Sequence, residues 1–194
     1  MRRAHPIERE SYRILRELVD LSNLAPLSRA VAERVIHASA DPEYADTLVL
    51  NEAYLRRGLE ALRRGAPIVA DVRMVVSGIT ARKVLCFVSD PRARDLSGDI
   101  GGTRAAAGFR VAAERVGPGA VWVVGNAPTA LFELLELDVD PALVVGFPVG
   151  FVGAAESKER LIASGLPAVA NRGPKGSSAV AAAALNALLY LEEE

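Results

Sequence analysis

Ala120-Val121-Trp122-Val123-Val124, running into Gly125-Asn126-Ala127-Pro128-Thr129, is the stretch that decides the fold. Its five apolar residues do not alternate with polar ones, so both faces of the strand they form must be covered. A turn follows, and then a helix from Pro128 to Leu137. The same unit recurs along the chain. Ile68-Val69-Ala70 is followed by a short helix at Met74–Val76, and Val84–Val88 by a helix over Thr103–Arg115. Ala142–Val145 is followed by a helix over Ser157–Ser164, and Ala168-Val169-Ala170 by one over Ser177–Leu191. Covered strands alternating with helices predict an α/β fold. It is a three-layer α/β/α arrangement with a mostly parallel central sheet in a single domain.

Upstream, His5-Pro6-Ile7-Glu8 opens a first helix, with Pro6 suited to its first position. Ile7, Ile14, Leu15, Leu18 and Leu21 give it an apolar face, and Ser22–Pro26 ends it. A second helix carries Ala30, Val31, Val35 and Ile36, with Ser28 as its cap. Thr47–Leu50 forms a short strand. Asn51 then caps a helix bearing Leu55, Leu59 and Leu62, which Gly65 stops. The alanine-rich run Ala179–Ala187 is a helix suited to close packing.

The 194 residues are enough for one sizeable core, with 51% hydrophobic and 24% charged residues. A net charge of -1 offers no basic field for nucleic acid. No apolar run is long enough to span a bilayer. The Met1–Pro6 start lacks the apolar segment of a signal peptide. The single cysteine, Cys86, lies in an apolar run and reads as an inert buried thiol, which fits a cytoplasmic protein. Among many arginines there are three lysines, Lys83, Lys158 and Lys175. A lysine in such a chain can mark a place where a compact, flexible ammonium is wanted.

One of two histidines sits in Val35-Ile36-His37-Ala38-Ser39-Ala40-Asp41. The helix before it ends at Asp41-Pro42, so His37 falls near a helix C-terminus among small residues. That position favours the protonated ring and leaves room for something to approach it, which suits a proton donor. The other unusual residues collect after the strands: Asp71, Gly125–Thr129, Gly146–Gly153 and Asn171–Ser178. In an open parallel sheet that edge is where ligands bind. The last loop sets Arg172 and Lys175 beside a helix start, an anion site by charge and by dipole. Arg104, in the first turn after Gly98-Asp99-Ile100-Gly101-Gly102-Thr103, is placed to reach a second anion. Neither a P-loop nor a dinucleotide fingerprint is present. The residues by themselves specify a small molecule with several carboxylates or phosphates, one histidine acid and no metal ligands.

These segments resemble the precorrin-8X methylmutase (precorrin isomerase) family of cobalamin biosynthesis. The resemblance is carried by His5-Pro6-Ile7-Glu8 with Ser11-Tyr12, by Val35–Asp41, and by Gly65-Ala66-Pro67-Ile68-Val69-Ala70-Asp71-Val72. It continues in Gly125–Leu131, in Val149-Gly150-Phe151-Val152-Gly153-Ala154-Ala155-Glu156-Ser157-Lys158, and in Asn171-Arg172-Gly173 with Lys175-Gly176-Ser177. Pro174 stands where a basic residue is expected, and the Gly101–Ala105 loop varies the family's pattern.

The resemblance implies an isomerase that moves a methyl group from C11 to C12 of a corrinoid ring, giving hydrogenobyrinic acid or its cobalt form. It implies His37 as the proton donor. Ser11, Tyr12, Arg104, Asn126, Thr129, Arg172 and Lys175 are its substrate-binding residues. It also implies no cofactor, no metal, and a homodimer with the site near the interface. The apolar loop Phe147-Pro148-Val149 with Phe151 suits a flat tetrapyrrole, and the arginines and lysine suit its acetate and propionate arms. Two other readings are open at this point: a phosphate-ester enzyme on the same scaffold, and a non-catalytic tetrapyrrole carrier.

Overall fold

In the computed structural model, which describes residues 5–99 and 102–192, a six-stranded sheet carries helices on both faces. The strands are β1 (Leu48–Val49), β2 (Ile68–Ala70), β3 (Val84–Leu85), β4 (Val121–Val124), β5 (Leu143–Gly146) and β6 (Ala168–Asn171). The helices run α1 (Pro6–Leu18), α2 (Pro26–Ser39), α3 (Tyr44–Thr47), α4 (Glu52–Arg63) and α5 (Arg73–Gly78). They continue with α6 (Pro91–Asp99), α7 (Arg104–Ala113), α8 (Pro128–Glu136), α9 (Ala154–Ala163) and α10 (Ser178–Glu192). The spatial order is β1-β6-β5-β4-β2-β3, all parallel except β1, which pairs antiparallel with β6.

The unbroken apolar strands follow from this sandwich. Val121 and Val123 enter the core under α2, α4, α5 and α10, while Trp122 and Val124 enter the core under α7, α8 and α9. Val144 likewise faces opposite to Leu143 and Val145. Each residue of β4 and β5 is therefore buried whichever way it points.

Several expectations are corrected. Ser28 does not cap α2, which begins two residues earlier at Pro26. Glu52, at the start of α4, accepts instead from the Leu27 and Ser28 backbone N–H groups at 3.0 and 2.9 Å and from the Ser28 hydroxyl at 2.8 Å. Its carboxylate so satisfies donors that the helix start leaves free. α1 stops at Leu18 rather than beyond Leu21, and β3 ends at Leu85. The Pro91–Asp99 helix has no counterpart in the sequence reading. Cys86 is half-buried, and burial pushes its thiol up. Phe147 and Pro148 are buried, leaving Val149, Phe151 and Val152 as the exposed apolar residues of their loop.

The alanine-rich α10 packs inside the subunit, against α2, α5, α4 and the sheet, so its small residues are used within the chain. No helix among the described residues is long and apolar enough to cross a membrane. The Met1–Ala4 start, and Ile100 and Gly101 of the loop before α7, lie outside the described residues.

Candidate active site

The strand order reverses between β2 and β4, and in such sheets the crevice at the reversal is where ligands sit. Asp71, directly after β2, is buried there. Its carboxylate accepts from the backbone N–H of Gly125 at 3.1 Å, Asn126 at 2.9 Å and Ala127 at 2.8 Å. Burial pushes this carboxyl up, and the N–H donors pull against that. Asp71 is thus an anchor for the loop after β4. Gly125 lies so close to α5 and α10 that a Cβ there would sit 2.6 Å from a Val75 methyl and 2.7 Å from the Ser178 Cα.

The anchored loop presents Asn126 and Thr129, both exposed. The Thr129 hydroxyl lies 2.7 Å from that of Thr103, the N-cap of α7, and Arg104 follows in the first turn. That contact sets the start of α7, with Arg104 in its first turn, beside the loop that carries Asn126 and Thr129 into α8.

His37 stands in the last turn of α2, half-buried. Its Nδ1 is 2.8 Å from the Ser11 Oγ, and the Tyr12 ring stacks on it with centroids 4.7 Å apart and planes 12° off parallel. Arg34 approaches the Tyr12 hydroxyl at 3.4 Å, pairs with Glu8 at 3.1 Å, and covers the Tyr190 ring. Ala40 then turns the chain with φ 52°, and Asp41 follows. Ser11 and Tyr12, expected on the substrate, are thus in contact with the imidazole itself.

Behind His37 the loop after β6 closes in. Lys175 bonds Asp41 at 2.7 Å and also Glu43, and these carboxylates hold its ammonium above the usual lysine range. Arg172 pairs with Glu159 at 2.6 Å. Both cations of the expected anion loop are therefore already paired with carboxylates of this chain. These pairs are exposed, and exposed pairs contribute little, so a bound carboxylate can compete for either cation. Among the described residues, no three His, Cys, Asp or Glu side chains converge as metal ligands.

The precorrin-8X methylmutase family model matches residues 6–191, from the first residue of α1 to the last but one of α10. The chain belongs to the precorrin-8X methylmutase family. It is accordingly an isomerase of cobalamin biosynthesis. The cobalt-precorrin-8 methylmutase of Methanothermobacter thermautotrophicus is 42% identical over 98% of this chain and 94% of its own. The precorrin-8X methylmutase of Pseudomonas aeruginosa is also 42% identical, over 97% and 96%. A crystal structure of the Thermus thermophilus precorrin-8X methylmutase superposes with a TM-score of 0.86 at 35% identity, covering 97% of this chain and 98% of that one.

Proposed function

We propose that this chain moves a methyl group from C11 to C12 of precorrin-8X or its cobalt form, with His37 as the proton donor. Relatives named for the metal-free and for the cobalt substrate stand at the same identity, so what they share is the migration and not the metal.

The observation that carries the reading is the Ser11–His37 contact at 2.8 Å. With Nδ1 held by the hydroxyl, Nε2 is the nitrogen left to meet a substrate. As an imidazolium, His37 donates Nδ1–H to Ser11 and Nε2–H to the ring nitrogen beside the migrating carbon. After transfer the neutral ring keeps its Nδ1–H on Ser11, so no change of tautomer is needed. Protonating the conjugated macrocycle eases the shift, which requires neither nucleophile nor redox group. A positioned acid supplies about 10²–10⁴ in rate, and confinement of the ring supplies the rest.

Arg104, Asn126, Thr129, Arg172 and Lys175 receive the carboxylate arms in this reading. The apolar ring lies against Val149, Phe151 and Val152. Two copies form the working unit. Ile7, Ile14 and Leu18 on α1 are 74%, 44% and 66% exposed, and the stripe borders Ser11. Covering a residue of this size contributes about 1.5–3 kcal/mol, so such a stripe favours a partner beside the histidine. The single thiol suits the reducing cytoplasm. Incubation with precorrin-8X and with its cobalt form, followed by visible spectroscopy, tests the reading. Conversion of one or both supports it, and an unchanged spectrum with both refutes it.

A further inference from the structure

Lys158 is fully buried, although lysine is almost never so unless paired. Its ammonium donates to the Asn171 Oδ1 at 3.1 Å and to the Lys175 backbone carbonyl at 2.5 Å. Asn171, buried as well, donates its amide to the carbonyls of Arg172 and Lys175, each at 3.0 Å. Next along the loop, Gly176 presses on the Phe147 and Pro148 carbonyls, where a Cβ would sit 2.3 and 2.5 Å away. The far end of Lys175 reaches Asp41 and Glu43, just past His37. A continuous set of contacts so runs from the buried ammonium through one loop to the turn behind the histidine.

We propose that Lys158 is a positioning residue for the methyl migration: its buried ammonium fixes the 171–176 loop, and the loop fixes Lys175 and the Asp41 turn at the substrate. This rests on the function proposed above. Lys158 is out of reach of substrate, so it acts by holding the loop and by leaving a positive charge beneath it. Burial brings this ammonium down to about 8. The charged groups around it are engaged elsewhere. Glu159, its neighbour on α9, pairs with Arg172, and Lys175 pairs with Asp41 and Glu43. Arg160 pairs with Glu136 of α8. Loss of the proton leaves an amine that keeps an N–H for each of the two acceptors but loses the charge that strengthens both bonds, and this loosens the loop.

The test compares the full-length protein with its Lys158→Met variant, using precorrin-8X, as pH is raised through about 8. The variant should show a KM raised at least about tenfold with kcat changed by less than about threefold, one lost charge-assisted contact being worth that much. The parental KM should climb above pH 8 while the variant's stays flat. A variant with the parental KM throughout, or one that loses kcat alone, overturns the proposal. If Lys158→Met does not fold, Lys158→Arg keeps a positive charge that does not titrate near pH 8 and should flatten the parental KM rise; a rise unchanged from the parental one overturns it. Hydrogen exchange at the Arg172 amide, which donates to the Thr47 carbonyl at 2.9 Å, and at the Gly150 amide, which donates to the Pro174 carbonyl at 3.3 Å, gives a readout without substrate. Faster exchange in the variant is expected, and unchanged exchange removes the role whatever the reaction. Parental protein that converts no substrate would instead refute the functional reading, and the positioning role with it.

Discussion

The Ser11 hydroxyl sits 2.8 Å from His37 Nδ1, joining the first helix to the last turn of the second. That contact fixes which ring nitrogen faces outward. Ser11→Ala should therefore lower kcat by about tenfold, the effect of removing one hydrogen bond worth roughly 1.5 kcal/mol to the charged ring, with corrinoid affinity changed little. Steady-state kinetics beside a binding titration check it. A raised KM at constant kcat would mean that Ser11 serves the substrate rather than the histidine.

Asp71 carries the loop after β4 on backbone N–H groups alone. Asp71→Asn turns part of that acceptor into a donor facing donors. Each buried group left unpaired costs about 1–3 kcal/mol, so the loss should be about 2–4 kcal/mol in denaturant unfolding. A change within about 0.5 kcal/mol, as at ordinary surface sites, would mean that the loop stands without it.

Glu52 caps α2 from α4, and its stability contribution depends on pH. Burial raises its carboxyl, but the bonds from Leu27 and Ser28 outweigh that and hold it below its ordinary value of 4.5. A lowered folded value means that the contribution is present above 4.5 and is lost as pH falls through the folded value. Glu52→Ala should cost about 1–2 kcal/mol at neutral pH, as for a lost N-cap. That corresponds to about 2–8 °C in Tm. Thermal melts at neutral and at strongly acidic pH should show the two proteins converging in acid. A constant gap would contradict the cap.

The exposed stripe on α1 predicts a dimer. Light scattering should give twice the 20.5 kDa chain mass. Ile14→Glu should shift the mass towards one chain and reduce turnover with it. Full turnover by a monomeric variant would remove the partner from the site.

The sandwich was legible because parallel strands buried on both faces leave an unbroken apolar signature, as Val121–Val124 does. α6 was not, because Ala93 and Leu96 are the only apolar residues after its opening proline, too few to set a period. The site was legible in its parts but not in their pairing. His37 could be placed at a helix end from local pattern. That Ser11 and Tyr12 turn towards it depends on how α1 crosses α2, which no local pattern encodes. The sequence shows an anion site at Arg172 and Lys175 but not their carboxylate partners, because Glu159, Asp41 and Glu43 meet them only through the fold. The cap of α2 is hidden from local pattern for the same reason, since the Glu52 carboxylate that accepts from the Ser28 N–H lies 24 residues away in the chain. The scarcity of lysine was a usable signal: two of the three meet at one loop, where the Lys158 ammonium donates to the Lys175 carbonyl.

The most direct test of the account is single-turnover conversion of precorrin-8X by parental protein and by His37→Ala, each in excess over substrate, followed by visible spectroscopy. Excess protein removes product release and affinity from the comparison, leaving the chemical step. His37→Ala should bind the corrinoid with near-parental affinity and isomerise it at least about 100-fold more slowly, the lower bound for loss of a positioned acid. Conversion by His37→Ala at the parental rate would contradict the assignment of the proton donor.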